Sequence, residues 1–253
     1  MSEHTLTGKV ALVTGAGSGL GEATARALAA AGCRVACVDI NEQASARVAN
    51  EIAQQELAGT TATTALPFQC DVSDAAAVAT TVAAVNGRMG RLDIMVNCAA
   101  VDYTYSVEEM SIEQWDRAVA INLRGPFLFA KSAFPIMREQ GGGHIVNIGS
   151  TAGLRAWANT SVYHATKWGL MGLSRGLGVE GRSAGIRVTT IIPGGMRTHF
   201  FDRFKEQGIP MPDPAKLQDP ATVANAIVFA LQVPPESSVQ ELLITPLDET
   251  SWP

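Results

Sequence analysis

The 253-residue chain has few cysteines, few histidines and little charge, and each shortage argues against a class of protein. Cys33, Cys37, Cys70 and Cys98 show no CxxC pairing, so we expect buried free thiols rather than a disulfide framework or a zinc site. The four histidines are scattered without ligand spacing, so we expect no metal site. Charged residues make up 17% and the net charge is −5, which argues against a nucleic-acid or anionic-membrane partner.

Long hydrophobic runs are also missing, although hydrophobic residues make up 47% of the chain. No apolar stretch approaches the roughly 20 residues of a membrane-spanning helix. Residues 1–8 lack the basic start and apolar segment of a secretory signal, so we expect a cytoplasmic protein. The length suits one large α/β domain or two small ones. Because no linker rich in Pro, Gly or Ser divides the chain, we predict a single domain over 1–253.

Short β-branched runs alternate with Ala-rich helical stretches along most of the chain. Gly125-Pro126 is expected to break or bend the fourth of these helices. The strands are continuous apolar runs, typical of a sheet covered on both faces. The alternation predicts an α/β fold of Rossmann type, with a doubly wound, seven-stranded parallel sheet between two helical layers. We predict strands at 9–14, 34–39, 66–70, 92–97, 144–149, 186–192 and 240–245, and helices at 19–31, 41–57, 74–89, 111–140, 161–182 and 221–231.

A glycine-rich turn, TGAGSGLG at 14–21, follows the first predicted strand and opens the first predicted helix. Glycines allow a tight turn and close backbone approach to a pyrophosphate, and the helix N-terminus supplies N–H groups. The spacing is Thr-Gly-x-x-x-Gly-x-Gly and not GxGxxG, because Leu20 stands where the last Gly of that pattern would fall. The turn therefore predicts a dinucleotide site. The residues expected at the phosphates are Gly15, Ser18, Gly19, Leu20 and Gly21.

Asp39 ends the second predicted strand, where a carboxylate can accept hydrogen bonds from the adenosine ribose. The same charge would repel a 2′-phosphate, since two unit charges about 4 Å apart interact by about 4 kcal/mol at an effective dielectric constant of about 20. Neither Ser18 nor Ile40, the neighbouring cofactor contacts that we expect, supplies a compensating base. NAD is therefore favoured over NADP. The alternative is that Asp39 only caps the next helix.

Ser150, Tyr163 and Lys167 form a group that can move a proton. Tyr163 and Lys167 are four residues apart, so they lie on one face of the helix predicted at 161–182. A neighbouring ammonium lowers the pKa of a tyrosine from its usual value of about 10. We therefore predict that Tyr163 is an acid and base, and that the Ser150 hydroxyl holds the oxygen it protonates. The alternative is an ordinary pair on a helix surface, unless a cofactor site lies nearby.

Together these motifs resemble the short-chain dehydrogenase/reductase family, from about Thr7 to the last strand. The segments CDV at 70–72, NCAA at 97–100, INL at 121–123 and PGGMRT at 193–198 follow in the family's order. Cys98 and Ala100 depart from the family's Asn-Asn-Ala-Gly, so we expect the packing of the backbone beside the cofactor to differ from that of the family. The further cofactor contacts that the resemblance implies are Asp71, Val72, Asn97, Ala99, Tyr163, Lys167, Pro193, Gly194, Met196 and Thr198.

The resemblance also implies a reaction, namely hydride transfer between the nicotinamide of NAD and a carbinol or carbonyl carbon. In this scheme Tyr163 is the acid or base, Lys167 lowers its pKa and binds the nicotinamide ribose, and Ser150 orients the substrate oxygen. Asn122 completes the catalytic tetrad and helps to relay protons to Lys167. The resemblance further implies a homotetramer that acts on a small-molecule alcohol or ketone.

Three segments are expected to border the substrate, at 101–105, 151–159 and 199–220, the last of which is a long irregular loop. They concentrate aromatic residues in a chain with only 6% of them, which indicates an apolar or aromatic secondary alcohol or ketone. The alternative is that several of these side chains only pack the loops. The substrate contacts that we predict are Tyr103, Leu154, Trp157, Gly195, Phe200 and Phe204.

Two other functions stay open at this point. The first is a 3-oxoacyl-thioester reductase; Asp39 argues against it, because such biosynthetic reductases usually take NADPH. The second is a non-catalytic dinucleotide sensor on the same fold, which would not require all four catalytic positions to be intact.

Overall fold

The computed structural model describes residues 5–56 and 64–249, and these contain one seven-stranded sheet. All neighbouring strands are parallel, in the order β3-β2-β1-β4-β5-β6-β7. Residues 59–65, which are rich in Thr and Ala and which we expect to form an exposed loop, lie mostly outside the described residues. The strands are β1 (Val10–Thr14), β2 (Arg34–Asp39), β3 (Ala65–Gln69), β4 (Ile94–Asn97), β5 (Gly143–Ile148), β6 (Ile186–Pro193) and β7 (Glu241–Ile244).

Helices cover both faces of the sheet, as the continuous apolar strands predict. Alternate side chains of β1 show this directly, since Ala11 and Val13 belong to one apolar cluster while Val10 and Leu12 belong to the other. The first cluster includes residues of α1 (Gly19–Ala30), α2 (Glu42–Glu56) and α8 (Pro220–Gln232). The second includes residues of α3 (Ala75–Met89), α5 (Gly125–Glu139) and α6 (Ser161–Gly181). The predicted doubly wound α/β/α fold is confirmed.

The helix predicted at 111–140 is two helices joined by a wide turn. A capping box of Ser111 and Gln114 starts α4 (Ile112–Val119), and α5 begins at Gly125, where a break was predicted. Between them, Ala120–Arg124 form a π-helical turn rather than a proline kink. Pro126 lies in the first turn of α5, where a missing N–H is tolerated.

The segment at 199–220 is more regular than predicted. It contains α7 (Asp202–Glu206) and two single turns of 3₁₀ helix, at His199–Phe201 and Pro214–Lys216. An isolated bridge between Met196 and Gln218 joins the two ends of this segment. Thr198, Asp213 and Asp219 cap its turns and the helix that follows through their side-chain oxygens, and these short capping motifs were missed in the prediction.

The described residues contain no helix that is both long enough and apolar enough to cross a membrane. The carboxyl ends of all seven strands meet at one edge of the sheet. The order of the strands reverses between β1 and β4, and in open α/β sheets a ligand crevice forms outside the strand ends at such a point.

Candidate active site

A cavity of about 930 Å³ lies along the carboxyl ends of the strands, centred on the loops that follow β1, β4, β5 and β6. Its volume is in the range of small-molecule and cofactor sites. Most of the residues predicted for catalysis and for cofactor binding line it, although they come from segments far apart in the chain. The crevice expected at the β1–β4 reversal is therefore present.

The glycine-rich turn forms one end of the cavity. Gly15 has a φ of +67°, and a Cβ added there would lie 3.0 Å from Ala99 Cα. A Cβ on Gly21 would lie 1.9 Å from Gly15 O, so no side chain fits at that position. The turn is thus packed as tightly as backbone permits, with the start of α1 facing the cavity. This cradle fits a pyrophosphate, and Ser18, Gly19 and Leu20 line it as predicted.

Asp39 both lines the cavity and braces the glycine-rich turn. Its Oδ2 accepts a hydrogen bond from Gly17 N at 2.9 Å, and its Oδ1 accepts one from Asn41 N at 2.9 Å. The cap of α2 comes instead from Asn41, whose Oδ1 accepts from Ala44 N at 3.1 Å. The carboxylate is therefore held at the end of β2 by two backbone groups, and Ile40 lines the cavity beside it.

One hydroxyl that the sequence did not single out joins the two halves of the site. The N–H groups of Cys98 and Ala99 donate to Thr14 Oγ1 at 3.0 and 3.2 Å, and the hydroxyl lies 3.5 Å from Val96 O. Thr14 thereby ties the end of β1 to the loop after β4. The sequence signal for this role of Thr14 was its position as the first residue of the glycine-rich pattern.

The other predicted cofactor contacts line the cavity with one exception. Asp71, Val72, Ala99, Pro193, Gly194, Met196 and Thr198 are all part of its wall. Asn97 is not, because its Nδ2 donates to Asn147 Oδ1 at 2.8 Å within the buried sheet. Asn147 in turn donates to Ser174 Oγ at 2.8 Å, so Asn97 belongs to a polar chain beneath the cavity. The direct cofactor contact at Asn97 stays a prediction, and in this structure the residue lies outside the cavity wall.

Ser150, Tyr163 and Lys167 line the same cavity, but their electrostatics differ from the prediction. Burial raises the pKa of the Tyr163 phenol above its usual range, the charge of Asp102 raises it further, and a hydrogen bond with Ser150 opposes the rise. Lys167 Nζ lies 5.4 Å from the centroid of the Tyr163 ring and donates to Ile148 O at 2.7 Å. Burial lowers the pKa of Lys167 to about 8. The expected fall in the pKa of Tyr163 is therefore wrong for this structure, because burial is the largest influence on the phenol.

Asn122 lies in the π-helical turn, only 1% exposed, and does not line the cavity. Its Oδ1 accepts from Val101 N at 2.8 Å and its Nδ2 donates to Val101 O at 2.7 Å. The Nδ2 group also donates to Thr166 Oγ1 at 3.2 Å. Asn122 therefore fixes the loop after β4 against α6. In this structure it positions the site rather than lining it.

Four of the six predicted substrate residues line the cavity. They are Trp157, Gly195, Phe200 and Phe204. Tyr103 does not, because in this non-helical segment its neighbours Asp102 and Thr104 face the cavity instead. Leu154 does not either, because it ends a 3₁₀ turn beyond which Arg155 and Trp157 form the wall.

An aromatic row forms the apolar wall of the cavity. The ring centroids of Tyr163 and Phe200 are 5.6 Å apart, those of Phe200 and Phe201 are 5.7 Å apart, and those of Phe201 and Phe204 are 5.4 Å apart. Such contacts are favourable beyond the area that they bury. The row brings the segment around α7 directly onto the tyrosine at which proton transfer is predicted.

Two ion pairs at the cavity were missed entirely. Asp102 accepts a hydrogen bond from Arg203, and Arg155 Nη2 lies 2.6 Å from Glu249 Oε1. Glu249 Oε2 also accepts from Gly195 N at 3.2 Å, so the segment after β7 contacts the loop after β6. The partners are 101 and 94 residues apart, and no local pattern connects them. The described residues contain no group of three or more His, Cys, Asp or Glu that could hold a metal ion.

Known proteins with similar sequences and structures are oxidoreductases. The model of the short chain dehydrogenase family matches residues 9–208. D-threitol dehydrogenase of Mycolicibacterium smegmatis is 43% identical over 191 residues, which are 76% of this chain and 71% of that protein. The alcohol dehydrogenase of the archaeon Thermococcus sibiricus, solved with 5-hydroxy-NADP, has a TM-score of 0.86 at 27% identity, over 96% of this chain and 99% of that one. The 3-ketoacyl-(acyl-carrier-protein) reductase of Brucella melitensis, solved with NADH, has a TM-score of 0.84 at 32% identity, over 97% and 100%.

Proposed function

Since the chain belongs to the short-chain dehydrogenase/reductase family, we propose that it is an NAD(H)-dependent oxidoreductase that interconverts a secondary alcohol and a ketone. The observation that carries this proposal is the shared cavity. Ser150, Tyr163 and Lys167 line the same space as the glycine-rich turn and Asp39. The relative named for D-threitol and the neighbour named as an alcohol dehydrogenase support an alcohol as the substrate class.

The chain's own residues manage the proton of this reaction. A bound nicotinamide supplies the chemistry of hydride acceptance and donation. Tyr163 gives a proton to the carbonyl oxygen in reduction and takes it from the hydroxyl in oxidation. The raised pKa keeps the phenol protonated at neutral pH, which is the form that reduction requires. Ser150 forms a hydrogen bond with the Tyr163 phenol and orients the substrate oxygen. Lys167 donates a hydrogen bond to Ile148 O, which places its ammonium beside the Tyr163 ring.

The apolar part of the substrate would pack on the aromatic row, with Phe200 beside the reacting centre. Trp157, Gly195 and Phe204 would complete the pocket.

We also propose that the protein forms the homotetramer that the family resemblance implies. Light scattering on the purified protein would test this assembly.

The proposed mechanism is tested by Tyr163→Phe, which removes only the phenolic oxygen. We expect kcat to fall by about 10²- to 10⁴-fold, the usual effect of losing a general acid or base. Tyr105→Phe is the matched control, because Tyr105 does not line the cavity and should leave kcat unchanged. Near-normal turnover by Tyr163→Phe would overturn the mechanism.

The preference for NAD rests on Asp39. Arg47, a cation near the glycine-rich turn, donates to Gly17 O at 3.0 Å and pairs with Glu22 at 2.7 Å and Glu51 at 3.2 Å. It is thus engaged by carboxylates and does not line the cavity, which supports a site without a 2′-phosphate. We expect higher kcat/KM with NAD than with NADP, and Asp39→Ala should level or reverse the ratio. A preference of the unmodified enzyme for NADP would refute this assignment.

A 3-oxoacyl-thioester reductase remains the second candidate, because a neighbour at 32% identity is named as a 3-ketoacyl reductase. That neighbour was solved with NADH, so Asp39 does not separate the two functions by itself. A panel of simple ketones and 3-oxoacyl thioesters, each assayed with NADH and NADPH, would decide between them. Dinucleotide binding without turnover on any member of the panel would instead favour the sensor.

A further inference from the structure

The Asp102–Arg203 ion pair is nearly buried in the cavity wall, close to the tyrosine at which the proposed reaction takes place. Asp102 is 8% exposed and Arg203 retains 19% of its side-chain exposure. The Arg203 guanidinium carbon lies 4.5 Å from the Phe200 centroid and 5.0 Å from the Phe204 centroid. Phe200 also contacts the Tyr163 ring, so one aromatic side chain packs against both the guanidinium and the tyrosine. In so dry a setting, charges act on one another with little screening by solvent.

The two charges come from different parts of the fold. Asp102 lies on the loop after β4, which Asn122 holds through both backbone groups of Val101. Arg203 lies on α7, within the segment that borders the substrate. The position of the carboxylate is therefore set by the rigid sheet, whereas the position of the guanidinium depends on where α7 lies.

The contact between α7 and the loop after β4 is incompletely satisfied. Thr104 Oγ1, Arg203 Nε and Gln207 Oε1 are buried and have no hydrogen-bond partner among the described residues, whereas the Asp102 carboxylate is contacted by the backbone N–H of Tyr103 as well as by Arg203. The polar contacts that do form are the ion pair and a bond from Gln207 Nε2 to Thr104 O at 3.2 Å. The ion pair is the charged member of these two contacts, so the position of α7 against this loop, which we call its seating, depends strongly on it.

We propose that Asp102 and Arg203 are positioning residues that link the seating of α7 to proton transfer by Tyr163. With α7 seated, the guanidinium neutralises the carboxylate; with α7 displaced, Tyr163 faces an uncompensated negative charge that disfavours phenolate. Proton abstraction from an alcohol is thereby favoured only when the wall of the substrate cavity is closed. This inference rests on the proposed function, because it requires Tyr163 to be the acid and base.

The charges around Tyr163 are consistent with this link. Asp102 raises the pKa of the phenol and Arg203 lowers it, with opposite signs as the proposal requires. Cys98, from the loop after β4, raises it slightly, and Lys167 of α6 donates to Ile148 O. Burial raises the pKa of the Asp102 carboxyl, and the adjacent Arg203 guanidinium opposes that rise. His164 Nδ1 lies 2.8 Å from Ala152 O.

The test is the pH dependence of alcohol oxidation in two opposite variants of the full chain with saturating cofactor. Arg203→Met keeps most of the side chain's packing but removes its charge, and should move the rise of kcat with pH upward by about one pH unit. Asp102→Asn should move it downward by a similar amount, and the double variant should return close to the unmodified enzyme. Arg203→Lys, which keeps the charge, should leave the profile in place while raising KM. Lys205→Met, an exposed cation on the same helix, is the matched control and should not shift the profile.

The outcomes separate this proposal from the function on which it rests. Opposite shifts that cancel in the double variant support it, because loss of packing alone would lower kcat at every pH in all three variants. Shifts of the two single variants in the same direction, or an unshifted profile in either of them, would overturn it. If only one single variant is stable enough to assay, an unshifted profile in that variant is sufficient. Normal turnover by Tyr163→Phe would instead refute the proposed function itself.

Discussion

Replacing Lys167 with methionine should alter stability in a way that depends on pH. Lys167 is only 3% exposed, and burial lowers its pKa from 10.5 to about 8. Because a difference of one pKa unit corresponds to about 1.4 kcal/mol, the buried ammonium destabilises the folded state by about 3 kcal/mol at pH 7. The folded protein binds this proton less tightly than the unfolded chain does. This destabilisation is therefore complete below about pH 8 and disappears as the pH rises to 10.5.

Lys167→Met removes the titrating group but also leaves Ile148 O without its 2.7 Å donor. An unpaired buried carbonyl costs about 1–3 kcal/mol at any pH. We therefore expect the variant to be as stable as the unmodified protein, or more stable, at pH 7, and less stable at pH 10. The difference between the two free energies of unfolding should change by about 2–3 kcal/mol over that range.

Urea unfolding followed by tryptophan fluorescence, at pH 7, 8, 9 and 10 and without cofactor, would measure this difference. Burial raises the pKa of the Cys33 and Cys37 thiols to about 12, so they remain protonated in the folded protein and lower its stability as the unfolded thiols ionise at high pH. That effect is common to both proteins and cancels in the comparison. Lys131→Met, at an exposed position on α5, should show a constant difference. A constant difference for Lys167→Met would refute the assignment of a destabilised buried ammonium.

Two further predictions concern packing. Gly21→Ala should weaken dinucleotide binding by more than about tenfold, as measured by titration calorimetry, because the added Cβ would overlap Gly15 O. Gly87→Ala is the control, since Gly87 lies in α3 and an added Cβ there would have no atom within 4 Å. This variant should instead stabilise the protein by about 0.5–1 kcal/mol. Phe129→Ala should lower the free energy of unfolding by about 3–5 kcal/mol in urea titrations, since Phe129 is fully buried between helix and sheet, and a loss below 1 kcal/mol would contradict that packing.

The fold and much of the cavity wall could be predicted because their signals are local. Continuous apolar strands predict a covered parallel sheet, and parallel strands bring their carboxyl ends to one edge. Turns that begin there, such as the glycine-rich segment, must therefore share one crevice with Ser150. Asp39 was placed at this edge by the end of its strand alone, and the structure has its carboxylate held there by Gly17 N.

The features that could not be predicted depend on tertiary distance or on burial. No local pattern pairs Asp102 with Arg203, or Arg155 with Glu249, because each pair forms only when distant loops meet. The spacing of Tyr163 and Lys167 predicted their proximity correctly, but not how dry the site is. Since burial disfavours both phenolate and ammonium, it raised the pKa of Tyr163 and lowered that of Lys167, whereas the Lys167 ammonium considered alone predicted a fall at Tyr163.

The π-helical turn at Ala120–Arg124 has a consequence for how this chain compares with its relatives. A π turn accommodates one additional residue in an α-helix by widening locally, so the helices on either side keep their phase. Deleting one of these five residues would restore a continuous α-helix without rotating α4 relative to α5. The wide turn that directs Asn122 at Val101 would be lost. We therefore expect that a relative with one residue fewer here either carries a different polar residue at this point or holds its loop after β4 by other means.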